Sequence, residues 1–263
     1  MKLNSRTIVV TGASGGIGAA TAKLFAEEGA SLILVGRDEA KLSSLCDSLS
    51  DSVSQHQWVA ADLTTDAGRH AVAQKAKNAV ALVNLAGINQ LRLFTDTSDT
   101  DLLHMINSNL AVPMLLSKAL LPQLRNKPEA WIINVGSIMG SIGIAGSVNY
   151  CASKFGLRGF TEALDRELAD TSIHVCYVAP RATNTSMNNT AAVSLNQKLG
   201  NTVDDPILVA RSILTALCAH KSSRHFLGWP EKVFVKLNAL LPRLVDKAMF
   251  KQLPIIKTYS QQR

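Results

Sequence analysis

The chain reads as a single α/β domain, a parallel sheet with helices on both of its faces. Three observations carry this reading. Short, nearly continuous apolar runs recur along the 263 residues, and stretches of helical periodicity alternate with them. Ala, Leu, Val and Ile carry the apolar load while aromatic residues make up only 5 % of the chain, a balance that suits helices packed on a buried sheet. No linker, low-complexity segment or internal repeat divides the sequence.

Residues 7–11 are a β-branched run ending at Gly12, the first strand. A glycine-rich turn leads into helical periodicity over 17–28, which stops at Gly29. Residues 31–35 are again strand-like, and 38–49 read as a second helix. Further strands are expected at 57–61, 80–85, 131–135 and 174–179, with long helices at 102–121 and 150–169. Residues 183–205 are rich in Asn, Thr and Ser and poorly periodic. Following a strand at the ligand end of such a sheet, they are the candidate substrate lid.

Composition excludes several classes. The opening MKLNSR is polar and precedes a short strand rather than the apolar core of a signal peptide, so a cytoplasmic location is expected. No stretch approaches the ~20 apolar residues of a membrane span. Cys46, Cys151, Cys176 and Cys218 lack CxxC spacing and the six histidines form no cluster, so reduced thiols and no metal are expected. Of the net charge of +7, residues 224–263 supply most, with eight Lys or Arg against two acids. The basic character therefore belongs to a tail segment and not to a nucleic-acid-binding face across the domain.

The turn after the first strand is TGASGGIG, residues 11–18. Glycines there permit a tight bend and let backbone amides approach a pyrophosphate with no Cβ in the way. The N-terminus of the following helix offers unpaired N–H groups and the positive end of its dipole. Ser14 adds a hydroxyl donor.

Tyr150 and Lys154 stand four residues apart in a predicted helix, on one face. A free tyrosine, with a pKa near ~10, is a poor proton carrier at neutral pH. A neighbouring ammonium, together with a positively charged cofactor ring, stabilises the phenolate and is expected to lower that value. Tyr150 can then give a proton to a carbonyl as hydride arrives, or take one from an alcohol in reverse. Ser137, thirteen residues upstream at the end of a strand, can hold the substrate oxygen.

Together these features resemble the short-chain dehydrogenases/reductases, which share the TGxxxGxG turn and the Ser/Tyr-x-x-x-Lys set. The resemblance covers residues 7–185 and implies a Rossmann-like doubly wound sheet and an oxidoreductase that uses a nicotinamide cofactor. It implies Ser137, Tyr150 and Lys154 as catalytic residues. A fourth, an asparagine supporting a water relay to the lysine, is matched best by Asn109, with Asn107 as alternative. It assigns cofactor contacts to Gly12, Ser14, Gly16, Ile17 and Gly18 in the turn, and to Asp62 and Leu63 after the third strand. Asn84, Ala86, Gly87, Pro180 and Thr185 complete that set with Tyr150 and Lys154. A homodimer or homotetramer is implied as well.

Two departures stand out. The family's Asn-Asn-Ala-Gly is Asn84-Leu85-Ala86-Gly87 here, which puts a strand-tying hydrogen bond at 85 in doubt. Its Pro-Gly is Pro180-Arg181, and Arg181 reads equally as an anion contact or as a surface salt bridge. At the end of the second strand, Gly36-Arg37 replaces the acid that accepts from an adenosine ribose. A small residue leaves room for a 2′-phosphate and Arg37 can pair with it, so NADP(H) is favoured over NAD(H).

Residues 1–228 thus form the nicotinamide-binding domain, and 229–263 a basic amphipathic extension packed on or beside it. Within 233–249 an apolar stripe runs between lysines and is interrupted at Pro242. That segment packs on the domain or touches a membrane or an acyl-carrier protein. The expected activity is hydride transfer to a carbonyl or from a secondary alcohol of an apolar substrate, as in a carbonyl reductase. The alternatives are a 3-oxoacyl-thioester reductase of lipid metabolism and a non-catalytic nicotinamide-binding regulator.

Overall fold

The computed structural model describes residues 3, 4, 6–49 and 55–261. Seven strands form one parallel sheet: β1 (Thr7–Thr11), β2 (Ser31–Gly36), β3 (Gln57–Ala60), β4 (Ala81–Asn84), β5 (Ala130–Val135), β6 (Ile173–Ala179) and β7 (Ser223–Phe226). Their order is β3-β2-β1-β4-β5-β6-β7, the doubly wound arrangement of a Rossmann-like fold. Helices α1 (Gly16–Glu27), α2 (Glu39–Leu49), α3 (Asp66–Lys75), α4 (Asp99–Ile106), α5 (Val112–Leu124), α6 (Val148–Glu167) and α8 (Pro206–Cys218) accompany them. Three more lie near one end of the sheet: α7 (Thr190–Leu199), α9 (Glu231–Leu240) and α10 (Pro242–Ser260).

Strand alternation divides the core into two layers. Ile8, Val10, Leu32 and Leu34 face α1 and α8, where Ala22, Phe25, Ile213 and Leu217 meet them. Val9, Ile33, Leu82 and Ile132 face the other way, onto Leu116, Leu120 and Leu164 of α5 and α6. Because both faces are covered, the inner strands β1, β2, β4, β5 and β6 are largely apolar and read as near-continuous runs. The edge strand β7, Ser223–Phe226, is polar and gives no such signal. Each fully buried aliphatic side chain contributes about 1.5–3 kcal/mol.

Several elements differ from the sequence expectation. The helix expected at 102–121 starts earlier, at Asp99, where the Ser98 hydroxyl accepts from the Asp101 N–H at 3.1 Å. It is also interrupted by a π turn, Asn107–Ala111, which periodicity does not reveal. The stretch 183–205 is not loop throughout, since Asn189 caps α7 within it and Asp205 caps α8. The stripe at 233–249 is two helices: Pro242, lacking an N–H, opens α10 in the first turn instead of kinking one helix. No helix among the described residues is long and apolar enough to cross a membrane.

Candidate active site

The strand connections leave β1 and β4 in opposite directions, so a crevice opens between the C-terminal ends of these neighbours. The cavity there holds about 1100 Å³. It runs from the ends of β2 and β3, past the turn before α1, to α6 and then beneath α7 and α10.

Gly12 sits at φ +64° and lies so close to β4 that a Cβ on it would stand 2.9 Å from Ala86 Cα. A Cβ on Gly18 would be driven into the Gly12 carbonyl, so the helix can pack against the turn only with glycine there. No side chain caps the N-terminus of α1 at Gly15, which leaves its first amides to a ligand. Thr11 Oγ1 accepts from the N–H groups of Leu85 and Ala86 at 2.9 and 3.1 Å and donates to the Val83 carbonyl. These bonds use the backbone at 85 and 86, so they hold β1 to the β4 end with leucine at 85. The β4–β5 pair is held separately by Asn84 Nδ2, 2.8 Å from Oδ1 of its register partner Asn134.

At the β2 end, Arg37 is exposed on the cavity wall with Lys41 one helical turn on. Asp38, on the same wall, pairs with Lys41 at 3.1 Å, and hydrogen bonds from Lys41 hold its carboxyl below the usual range. Asp62 is likewise held low, first by the Thr64 hydroxyl at 2.7 Å. A glycine cradle without Cβ atoms and two cations at its far end fit a dinucleotide.

Beyond the cradle, Ser137 lies two residues past β5, while Tyr150 and Lys154 project from α6. The Tyr150 phenol and the Ser137 hydroxyl share the cavity wall. Burial pushes Tyr150 up to about 12, outweighing the opposite influence of Ser137. The same burial pushes Lys154 down to about 8, and its Nζ donates to the Val135 carbonyl at 3.1 Å. Lys154 Nζ stands 5.7 Å from the centre of the Tyr150 ring. The expected lowering of Tyr150 by its ammonium is thus overridden by desolvation in the protein itself.

The chain matches the short chain dehydrogenase family over residues 6–195. It belongs to the short-chain dehydrogenases/reductases. An uncharacterized oxidoreductase, YxnA of Bacillus subtilis, is 31 % identical over 261 residues, covering 95 % of this chain and 73 % of the relative. A 3-oxoacyl-[acyl-carrier-protein] reductase, FabG of Vibrio cholerae, is 32 % identical over 244 residues, 89 % of this chain and 94 % of its own. Among solved structures, a short-chain dehydrogenase from Sphingobium yanoikuyae in complex with NADPH superposes with a TM-score of 0.77 at 25 % identity, covering 92 % of this chain and 95 % of that one. The chain is therefore an oxidoreductase of a nicotinamide-binding family.

In this short-chain dehydrogenase/reductase the expected contact residues come together on the cavity wall, with two exceptions. Asn84 is buried in the bonds to Asn134 and Ser117, and the wall begins one residue later. Asn109 also lies behind the wall, at 0 % exposure. The π turn aims its side chain at Ile88, accepting from its N–H at 2.8 Å and donating to its carbonyl at 2.9 Å, with a further bond to Ser153. Asn109 thus positions the Gly87–Ile88 backbone and α6. Thr185 packs on the glycine turn so closely that a Cβ on Gly16 would lie 2.7 Å from its methyl group.

Sequence reasoning missed three contributors. Lys41 was legible as a cation four residues after Arg37. Tyr177 was not: it lies under the Ser137 loop, its hydroxyl 3.3 Å from the Ser137 carbonyl, where Gly136 and Gly140 leave room for it. The third is α10, whose Met249 and Ile256 join Leu195 of α7 and Ile142 around the far end of the cavity. Arg181 lies on the cavity wall, but its guanidinium is already paired. It is an internal ion pair with Asp204 and Glu231.

Proposed function

We propose that the protein is an NADP(H)-dependent oxidoreductase that interconverts a carbonyl and a secondary alcohol on an apolar substrate, using Ser137, Tyr150 and Lys154. The observation that carries this is the position of Tyr150, beside Ser137 and at the junction of the glycine cradle with the apolar end of the cavity.

The turn at Gly12–Gly18 and Ser14 would hold the pyrophosphate, Arg37 and Lys41 the 2′-phosphate, and Lys154 the nicotinamide ribose. When bound, the nicotinamide supplies or accepts the hydride. Ser137 donates to the substrate oxygen and fixes it against Tyr150. With its pKa near 12, Tyr150 is protonated across the neutral range and gives its proton to that oxygen as carbonyl becomes alcohol. The Lys154 ammonium stabilises the phenolate left behind, the point at which opposite charge first appears beside it. Ile142, Leu195, Met249 and Ile256 offer the substrate an apolar slot.

A 3-oxoacyl thioester is the second reading, favoured by the likeness to the acyl-carrier-protein reductases. Oxidation of NADPH and NADH by the purified protein, across ketones, aldehydes and 3-oxoacyl thioesters, tests both. NADPH-preferred turnover rising with the apolar bulk of simple ketones supports the first. Turnover confined to thioesters selects the second.

A further inference from the structure

We propose that the elbow between α9 and α10 docks on the surface of an anionic lipid bilayer, independently of the reaction. The two helices sort their side chains in an unusual way. Their inward faces are satisfied: Val235 and Val245 pack with Ile142, and Ile256 is buried to 1 % exposure. Their outward faces are not wholly polar. Leu240 is 78 % exposed, Leu241 57 %, Leu244 53 % and Phe250 73 %. Large apolar side chains clustered in this way are a liability in water unless something covers them.

The same outward faces carry a fence of cations. Lys236 lies one helical turn before Leu240, while Arg243, Lys247 and Lys251 surround Leu244 and Phe250, all of them exposed. Asp246 is the only acid from residue 232 to the end of the chain. Apolar tips between long cationic side chains match an anionic interface, in which leucine and phenylalanine enter the acyl boundary and the ammonium groups rise to the headgroups.

The charge argues against a second copy as the occupant. Two such elbows face to face would oppose like charges, and lysine is depleted from protein interfaces. Attraction to a polyanion in solution would explain the cations but not the exposed Leu240, Leu244 and Phe250. The helices are too short of apolar length to span, so the contact is with one leaflet. Because Met249 and Ile256 of α10 line the cavity, docking sets one cavity wall against the lipid phase.

Co-sedimentation of the full chain with phosphatidylcholine vesicles, with and without phosphatidylglycerol, tests the proposal. Binding is expected to require phosphatidylglycerol and to weaken as salt is raised. A Leu240→Ser/Leu244→Ser/Phe250→Ser variant and an Arg243→Glu/Lys247→Glu variant should each lower the partition coefficient about tenfold or more. Both should keep the far-ultraviolet circular dichroism and Tm of the parent, since the substituted side chains are exposed. Equal sedimentation with both vesicle types overturns the proposal, and so does full binding by the serine variant. Loss of a dimer or tetramer in the serine variant, with no vesicle binding by the parent, overturns it in favour of a second copy.

Discussion

Arg181 grips Asp204 across the two ends of the 183–205 segment, with Nε 3.0 Å from Oδ2 and Nη2 2.8 Å from Oδ1. Its remaining nitrogen reaches Glu231 Oε2 at 3.0 Å and the Trp229 carbonyl at 3.2 Å. One guanidinium thus fastens the base of the α7 segment to the start of α9. The pair is well buried, with side-chain exposures of 12 % and 8 %. Arg181→Ala strands two carboxylates and should cost about 3 kcal/mol. For a domain of this size that corresponds to a fall in Tm of about 6–12 °C, read by calorimetry. An unchanged Tm would show that the grip contributes nothing.

Arg37 and Lys41 present the cations nearest the end of β2, while Asp38 is occupied by Lys41. Arg37→Ala should raise the Kd for NADPH by about tenfold or more and leave that for NADH nearly unchanged, because a charge-assisted phosphate contact is lost. Lys41→Ala should act in the same direction and less strongly. Fluorescence titration with both cofactors measures the ratio. Equal weakening of the two cofactors would remove Arg37 from the phosphate site.

The pH dependence follows from Lys154. Burial disfavours its charged form, so its pKa drops from 10.5 to about 8, and the ammonium is present below that value. Tyr150, pushed up to about 12, still holds its proton there. kcat/KM for carbonyl reduction should therefore decline as pH rises through about 8, with Lys154 and not Tyr150 titrating. A profile flat to pH 10 contradicts the assignment. Stability moves the other way. Between about 8 and 10.5 the unfolded chain binds the proton that the folded chain has lost, so this group makes folding more favourable as pH rises.

Tyr177 supports the Ser137 loop from below: its hydroxyl donates to the Ser137 carbonyl, and the Ser137 N–H points back at it at 3.5 Å. Tyr177→Phe should cost about 1–2 kcal/mol by leaving a buried carbonyl and N–H poorly paired. It should also lower kcat several-fold more than it raises KM, since Ser137 would lose its fixed position. A stability loss with kcat unchanged would confine Tyr177 to packing.

Much of this was legible in the sequence because it rests on local rules. The run 7–11, the glycine turn and the helix after it are consecutive, so spacing alone locates the cradle. Tyr150 and Lys154 share a face of one helix for the same reason. What escaped depends on the third dimension or on one hydrogen bond. The π turn that buries Asn109 leaves no periodic trace, and α7 sits in a polar stretch whose cap, Asn189, looks like any loop asparagine. Arg181 stayed open between an anion contact and a salt bridge because its acids lie 23 and 50 residues away. The ammonium beside Tyr150 was visible in the sequence, whereas the desolvation that raises its pKa was not.

The most direct test pairs turnover with cofactor binding in Tyr150→Phe. The substitution removes the proton at the substrate oxygen and leaves the glycine cradle, Arg37 and Lys154 in place. The account predicts a loss of NADPH oxidation of about 100-fold or more on any ketone the parent reduces, with the Kd for NADPH within about twofold. Parental turnover by the variant would contradict it, because the proton would then come from a group other than Tyr150.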